Sequence, residues 1–205
     1  MKLLLVAGMC IVLGICAFFF FRDEVVLTNF PPKNSTIVAF GDSLVEGVGA
    51  TEGNDFVSVL SRTIGLPIKN LGVRGDTTAD GVSRVTAVKQ YDPGIVLLLL
   101  GGNDTLRQIP VATTEKNLRT LIESFHKEGA LVVFIGVRGG IIGSEREDMY
   151  ERISREYGAL YVPDILDGLL LKPEFMFDNI HPNDAGYARI AERLSAVLED
   201  NNLLK

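Results

Sequence analysis

The sequence contains no tryptophan, and its 205 residues include only two cysteines and two histidines. Both cysteines, Cys10 and Cys16, lie in one apolar run near the N-terminus, so the rest of the chain has neither a disulfide nor a reactive thiol. With aromatic residues at only 8%, there is no sign of a platform on which sugars stack. Clustered lysines and arginines are also missing, and the formal net charge of -6 argues against a nucleic-acid-binding surface.

The apolar run extends without interruption from Leu3 to Phe21 and ends before Arg22. As a helix it would reach about 28 Å, close to the roughly 30 Å hydrocarbon thickness of a bilayer. A cleaved signal peptide, with secretion of the protein, is the alternative, but its apolar region is normally shorter and is followed by a small-residue cleavage site. The few flanking charges weakly favour a cytoplasmic N-terminus. We therefore expect a membrane anchor with an extracytoplasmic domain.

The length and the hydrophobic content of 47% allow one well-buried core and are short for two domains. We predict three parts: residues 1–22 as membrane anchor or signal segment, 23–34 as linker, and 35–205 as one globular domain. Pro31 and Pro32 mark the linker because neither can lie inside a helix.

Short β-type runs alternate with helix-period stretches through the domain, as they do in an α/β protein with a parallel sheet covered on both faces. The amphipathic stretches carry apolar residues on one face, which indicates helices packed on a core. Five strands predict a small doubly wound sheet. The predicted strands are Thr36 to Phe40, Ile68 to Leu71, Ile95 to Leu100, Leu131 to Ile135 and Leu160 to Val162.

The first chemically suggestive string, Gly41-Asp42-Ser43-Leu44, directly follows the first predicted strand. Ser43 would then lie on a tight strand-to-helix turn, with its hydroxyl at the carboxyl edge of the sheet, where open α/β sheets carry their sites. It is our candidate nucleophile. Because Gly-Asp-Ser also occurs in ordinary turns, a plain turn is the alternative for this string alone.

A candidate base and its orienting acid lie close together near the C-terminus. Asp178 and His181 are three residues apart in a segment closed by Pro182, so that one loop can present both side chains. Asp178 can accept from one ring nitrogen of His181 and leave the other to take the serine proton. A structural loop histidine is the alternative. The second histidine, His126, has the pattern of a surface or boundary residue on a helix.

Two further strings follow predicted strands and supply candidate donors for an oxyanion. Gly101-Gly102-Asn103-Asp104 follows the third strand and offers the side-chain amide of Asn103. The backbone N–H of Gly72, after the second strand, is a second candidate donor. Each string by itself is also compatible with a simple turn.

Taken in order, these strings resemble the conserved blocks of the SGNH hydrolases, also called the GDSL esterase and lipase family. The resemblance extends from about residue 35 to the end of the chain and implies a three-layer α/β/α sandwich with a flavodoxin-like sheet. It implies that Ser43 is the nucleophile and that His181 and Asp178 complete a triad. It further implies an oxyanion hole formed by the backbone N–H groups of Ser43 and Gly72 and the side chain of Asn103, with no metal or organic cofactor.

Small bacterial thioesterase, arylesterase and lysophospholipase members are the most similar in motif. They share the run from Gly75 to Thr78 and the Leu106-Arg107 pair, and we expect Asp76 and Arg107 to brace loops around the site. In that family a substrate-covering loop would lie at Val137 to Arg146, whose glycines suit a mobile lid, although a plain loop is an equal alternative.

The expected function is therefore that of a serine esterase acting on small acyl or aryl esters, with lysophospholipids or thioesters as further substrates. The expected partners are a small-molecule ester or lipid, and the membrane through the N-terminal segment. A carbohydrate O-acetyl esterase is the alternative within enzymology, and a catalytically silent surface binding domain is the alternative outside it. The sequence does not indicate an oligomeric state.

Overall fold

The computed structural model describes residues 26–137 and 145–204. The predicted anchor, residues 1–22, lies outside this part of the chain, as does most of the predicted lid from Val137 to Arg146. Within the described ranges, no helix is both long enough and apolar enough to cross a membrane.

Five parallel strands form one sheet, and their side chains are almost wholly buried in the three central strands. Runs of β-branched and other apolar residues produce such strands because both faces of a parallel sheet are covered by helices. The strands are Ile37–Gly41 (β1), Ile68–Gly72 (β2), Ile95–Leu99 (β3), Leu131–Ile135 (β4) and Leu160–Val162 (β5). All five predicted strands are confirmed, with ends that shift by at most one residue.

The strand order is β2-β1-β3-β4-β5. From β1 the chain moves outward to β2 and then returns to β3 on the other side of β1. The crossover connections therefore leave in opposite directions at the carboxyl ends of β1 and β3, and such a switch point opens a crevice in doubly wound sheets. The flavodoxin-like α/β fold predicted from the sequence is confirmed.

Seven helices and one 3₁₀ helix connect and cover the strands in the described residues. The helices are Ser43–Glu46 (α1), Phe56–Ile64 (α2), Thr78–Arg84 (α3), Gly102–Leu106 (α4), Val111–Lys127 (α5), Glu145–Tyr157 (α6) and Asp184–Asp200 (α7), and the 3₁₀ helix is Val85–Tyr91. Polar side chains cap several N-termini; Asn183, for example, accepts a hydrogen bond from the Gly186 N–H at the start of α7.

The sheet separates two hydrophobic clusters because successive strand side chains point to opposite faces. On one face, Ala39 and Leu97 belong to a cluster with residues of α2 and α7, such as Leu60 and Leu194. On the other face, residues of β1, β3 and β4 pack with α5 and α6. These two layers of helices fix the sheet from both sides and leave its carboxyl edge to carry the site.

Candidate active site

The carboxyl ends of β1, β2 and β3 lie level with one another. In the sheet register Gly41 is paired with both Gly72 and Leu99, so the segments that follow these three strands begin at the same edge. They carry Ser43, the Gly72 turn and Asn103. The three strings that the sequence placed after separate strands are thus neighbours in the fold.

Two glycines allow α1 to pack tightly onto this edge. A Cβ atom built on Gly72 would lie 2.1 Å from the Glu46 backbone nitrogen, and one on Gly41 would lie 2.4 Å from Val45 Cγ2 of α1 and 2.3 Å from the Leu99 carbonyl oxygen of β3. No side chain fits at either position. Asp42 then caps α1 by accepting from the Leu44 N–H at 3.1 Å, and Ser43 becomes the first helical residue. Its own N–H, like others in a first helical turn, has no partner within the helix.

The loop that carries His181 is fastened to the rest of the site at several points. The His181 carbonyl accepts from the Phe177 N–H at 2.8 Å, which closes the loop on itself. Tyr187, in the first turn of α7, donates its hydroxyl hydrogen to the Val48 carbonyl at 2.8 Å. Gly49 packs against this loop, since a Cβ there would lie 2.5 Å from the Pro182 carbonyl oxygen. The segment after α1 and the start of α7 therefore hold the histidine loop beside Ser43.

A chain of hydrogen bonds joins the three candidate residues. Ser43 Oγ lies 2.9 Å from His181 Nε2, and His181 Nδ1 lies 2.8 Å from Asp178 Oδ2. Ser43 is buried, and the His181 side chain is nearly so. With Asp178 accepting at Nδ1, the neutral ring carries its proton there and presents an unprotonated Nε2 to the hydroxyl. This is the arrangement that deprotonation of a serine by an imidazole requires.

Asp178 is kept ionised by its local hydrogen bonds. Its environment is partly desolvated, which by itself raises the pKa, but the opposing hydrogen bonds from the His181 ring and from the His181 and Ile180 N–H groups lower it to about 2. Both N–H groups donate to Asp178 Oδ1 at 2.7 Å. The carboxylate therefore stays charged at neutral pH and is available to stabilise an imidazolium.

The candidate oxyanion donors differ in the hydrogen bonds that they already make. Asn103 donates from Nδ2 to the Asp76 carbonyl at 3.0 Å and makes a longer contact of 3.4 Å with Asp42 Oδ2. The Gly72 N–H donates to the side-chain oxygen of Asn70 at 2.8 Å. The structure thus places Asn103 in the cleft beside Ser43, whereas the Gly72 N–H lies at the same edge with an acceptor of its own.

Asp42 is a functional candidate that the sequence pattern does not single out. It is 3% exposed, and burial, with Asp76 as a nearby like charge, raises its pKa to about 7 against the opposing hydrogen bond from Leu44. Its carboxyl group lies between the α1 N-terminus and the Asn103 amide. The only sequence signal was its place next to Ser43, because its burial depends on helices distant in the chain.

Arg84, which the sequence pattern does not single out either, braces the loops around the site. Its guanidinium donates to the carbonyls at the ends of two strands, Gly41 at 2.8 Å and Leu71 at 2.9 Å, and to Asp76 Oδ2 at 2.6 Å. Arg107 donates to the Gly75 carbonyl at 2.6 Å. The predicted bracing by Asp76 and Arg107 thus has direct contacts, with Arg84 as the larger contributor.

Asp104, next to Asn103, is fully buried and anchors the start of α4 to α3. Its two oxygens accept from the Thr78 N–H at 2.8 Å and the Thr78 hydroxyl at 2.6 Å. A third hydrogen bond comes from Thr114 of α5 at 3.1 Å. Asn103 is therefore carried on a turn whose position is fixed by a satisfied polar network.

An open cleft with an empty volume of about 730 Å³, including the space at its mouth, lies over Ser43. Six of its twelve lining residues are aliphatic and five are polar, and most of its exposed wall is apolar, which is typical of a site for a small apolar ligand. The lining residues are Asp42, Ser43, Leu44, Gly102, Asn103, Thr105, Leu106, Val137, Leu166, Leu170, Asn179 and Ile180. In the described part of the chain, no group of three or more His, Cys, Asp and Glu residues converges in a way that could hold a metal ion.

The chain is similar in sequence and in fold to several known ester hydrolases. The model of the GDSL-like lipase/acylhydrolase family matches residues 39–189. The thioesterase 1/protease 1/lysophospholipase L1 of Escherichia coli K12 is 28% identical over 187 residues, which are 85% of this chain and 88% of that protein. The arylesterase of Vibrio mimicus is 29% identical over 168 residues, covering 76% of this chain and 84% of its own. The crystal structure of AlinE4, an SGNH-hydrolase family esterase, is 30% identical with a TM-score of 0.64, and the match covers 82% of this chain and 94% of AlinE4.

Three observations define the class of this protein. The fold has five parallel strands, a serine lies at the carboxyl edge of β1, and a family model matches well over half of the chain. The chain belongs to the GDSL-like lipase/acylhydrolase family. It is a serine ester hydrolase of the SGNH type.

Replacing Asp42 by Asn is expected to change how stability depends on pH. The ordinary pKa of an aspartate is 3.8 and that of folded Asp42 is about 7, so between these values the folded protein retains a proton that the unfolded chain releases. Wild-type stability therefore falls as the pH rises through this window, and Asn, which does not titrate but still caps α1, avoids the loss. The free energy of unfolding of Asp42→Asn minus that of wild type should therefore increase by up to about 4 kcal/mol between pH 4 and pH 7.

Urea unfolding of both proteins at pH 4, 5.5 and 7 measures this difference. A gap between the two proteins that does not change with pH would show that Asp42 is not an unusually basic carboxyl group in the folded state.

Proposed function

We propose that this protein is a membrane-tethered serine esterase that hydrolyses carboxylic esters with an apolar acyl group through an acyl-enzyme on Ser43. The observation that carries the proposal is the hydrogen-bonded chain from Ser43 Oγ to His181 Nε2 and from His181 Nδ1 to Asp178. It lies beside an aliphatic cleft that holds the reacting ester in place.

In the first half of the reaction, Ser43 Oγ attacks the carbonyl carbon of the ester while its proton passes to His181 Nε2. The imidazolium that forms is stabilised by the Asp178 carboxylate. The tetrahedral intermediate then collapses, the bond to the leaving oxygen breaks, and the alcohol departs with the proton from His181. The acyl group is left on Ser43.

The negative charge on the carbonyl oxygen needs donors that are already in position. The N–H of Ser43 and the Nδ2 amide of Asn103 fulfil this role in our proposal. Asn103 is held by the Asp76 carbonyl at 3.0 Å through one amide hydrogen, and the other, whose contact with Asp42 Oδ2 at 3.4 Å is long, turns to the oxyanion. The Gly72 N–H joins them as the weaker donor, because it already donates to Asn70 and would have to share its hydrogen.

In the second half of the reaction, water attacks the acyl-enzyme. His181 Nε2 takes a proton from this water, and the new tetrahedral intermediate collapses to release the carboxylic acid. The proton returns to Ser43 Oγ. None of these steps calls for a metal or an organic cofactor.

The cleft supports substrates with one apolar chain. Six aliphatic side chains line it, namely Leu44, Leu106, Val137, Leu166, Leu170 and Ile180. Each buried methylene of an acyl chain contributes about 0.8 kcal/mol, so a chain of several carbons gains more from this wall than an acetyl group does. The names of the relatives, which include thioesterase, lysophospholipase and arylesterase, agree with single-chain or aryl esters and thioesters as the substrate class.

The location of the enzyme is proposed from the sequence alone. The apolar run from Leu3 to Phe21 is long enough to span a bilayer, and its flanking charges favour a domain outside the cytoplasm. An extracytoplasmic domain would act on extracellular or periplasmic esters, and thioester cleavage would then be a side activity of the same site.

Replacing Ser43 by Ala is expected to abolish ester hydrolysis and leave the fold intact, because the change removes one oxygen at the surface of the cleft. The measurement is release of p-nitrophenol from p-nitrophenyl butyrate, with the melting temperature recorded alongside. Ser35→Ala, at an exposed serine remote from the cleft, is the matched control and should retain full activity. A Ser43→Ala protein with wild-type turnover would exclude Ser43 as nucleophile.

Replacing Asn103 by Ala should lower kcat by about a hundredfold to a thousandfold, the usual effect of losing one oxyanion donor. KM should change far less, since the amide acts mainly on the transition state. Asn201→Ala, at the C-terminus of α7 and far from the cleft, controls for the loss of an asparagine amide. If kcat of the Asn103 variant stayed at the wild-type level, Asn103 would not belong to the oxyanion hole.

A series of p-nitrophenyl esters tests the proposed substrate class. We expect kcat/KM to rise from acetate through butyrate to octanoate, because the aliphatic cleft wall binds each added methylene. Initial rates at subsaturating concentrations measure this ratio directly. A maximum at acetate with a steady fall for longer chains would instead favour an acetyl esterase, and acetylated glycans would become the next substrates to test.

A further inference from the structure

The described chain begins at the edge of the sheet opposite to the site. The Thr28 N–H donates to the Gly158 carbonyl at 2.9 Å, and the Asn29 side chain donates to the carbonyls of His126 and Ala130, both at 3.0 Å. Gly158 lies two residues before β5, and Ala130 directly precedes β4. These contacts lie where the strands begin, whereas the site lies where β1, β2 and β3 end.

The contacts continue along the same edge. Lys33 Nζ donates to the Glu128 carbonyl at 2.7 Å, and the Asn34 side chain donates to the Asp92 carbonyl at 3.0 Å. The Gly94 N–H, just before β3, donates to the Thr36 carbonyl at 3.0 Å. Residues 28–36, which we call the base strap, thus run across the starting ends of β5, β4 and β3 before the chain enters β1. The part of the predicted linker from Thr28 onward is bound to the domain.

The free length between the apolar run and the base strap is short. Phe21 and Thr28 are seven residues apart, and seven residues span at most about 25 Å when fully extended. A globular domain of this size is roughly 40 Å across. To bring the cleft onto the membrane surface, this short connection would have to run from the base around the side of the domain. That path is longer than the maximum length of the connection.

We propose that the ester site faces away from the membrane that the chain's own N-terminal segment enters, and that it takes its apolar-chain esters from the aqueous side rather than from that membrane. This inference rests on the membrane tether of the proposed function. Large apolar side chains that line the cleft remain exposed, with Leu106 61% and Ile180 41% accessible. Such a mouth suits amphipathic esters that arrive from solution with their acyl chain leading.

Fluorescent labels at the base and at the cleft mouth of the domain, in the full-length protein, report directly how the domain is oriented on the membrane. Cys10 and Cys16 are the only cysteines of the chain, so Cys10→Ser with Cys16→Ser gives a background free of thiols. Ser35→Cys then places a donor dye on the base strap, and Leu171→Cys, at an exposed position next to the cleft-lining Leu170, places it at the mouth of the cleft. The proteins are reconstituted in phosphatidylcholine and phosphatidylglycerol vesicles that contain a rhodamine-labelled lipid as acceptor.

Energy transfer to the acceptor lipid should be strong from the base label and several-fold weaker from the mouth label. Equal transfer from both labels, or stronger transfer from the mouth, would overturn the inference. A full-length protein that fails to float with the vesicles would instead contradict the membrane tether of the proposed function, on which the inference rests.

A longer tether supplies a functional test with a gain of activity. Twenty glycine and serine residues inserted between Arg22 and Asp23 let the domain turn over, since such a linker has an r.m.s. length of about 25 Å and a much longer reach when extended. Hydrolysis of a fluorogenic long-chain ester embedded in the same vesicles should rise several-fold, while hydrolysis of monomeric p-nitrophenyl butyrate stays unchanged. The same twenty residues added after Lys205 are the matched control and should have no effect.

An unmodified chain that already hydrolyses the embedded ester as fast as the long-tether variant would overturn the inference. A chain inactive on monomeric p-nitrophenyl butyrate would contradict the proposed function instead, and the two labels would still report which end of the domain faces the membrane.

Discussion

The close packing of α1 onto the carboxyl edge of the sheet is the constraint on which the site depends. Two glycines permit it: Gly41 lies against the Val45 side chain, and Gly72 lies against the backbone of Glu46. Any side chain at Gly72 would push α1 away and move Ser43 with it. The Arg84 guanidinium supports the same contact from behind, because it donates to the Gly41 and Leu71 carbonyls at the ends of β1 and β2. The position of the serine hydroxyl is thus set by the packing of α1 on the strand ends and by the hydrogen bonds of the Arg84 guanidinium.

His181 reaches Ser43 from a distant part of the sequence, and its loop carries its own means of orientation. Asp178 Oδ1 accepts two N–H groups of the loop, while Oδ2 accepts from the ring, so one carboxylate both shapes the turn and aligns the imidazole. The same hydrogen bonds lower the pKa of Asp178 to about 2. They therefore produce both the loop geometry and the negative charge that is needed beside the histidine.

Much of this organisation can be predicted from sequence, since it depends on local patterns. Buried strands such as Leu131–Ile135 are continuous apolar runs, and Asn183 has the side chain and position of a helix cap. The convergence of Ser43 and Asn103 follows from the general rule that open α/β sheets carry their sites at the carboxyl ends of their strands. The raised pKa of Asp42 and the bracing by Arg84 could not be predicted, because each depends on burial by elements that are distant in the chain. The hydrogen bond from the Gly72 N–H to the Asn70 side chain depends on a side-chain conformation that the sequence pattern does not predict.

The catalytic assignment of Ser43 is central to the proposed chemistry, and covalent labelling tests it most directly. A p-nitrophenyl alkylphosphonate reacts with a nucleophilic serine to give a stable tetrahedral adduct that resembles the reaction intermediate. Mass spectrometry of the intact protein and of its peptides should find one adduct per chain, on Ser43, formed in step with the loss of esterase activity. Loss of activity with the adduct on another residue, or full activity with Ser43 completely labelled, would contradict the assignment.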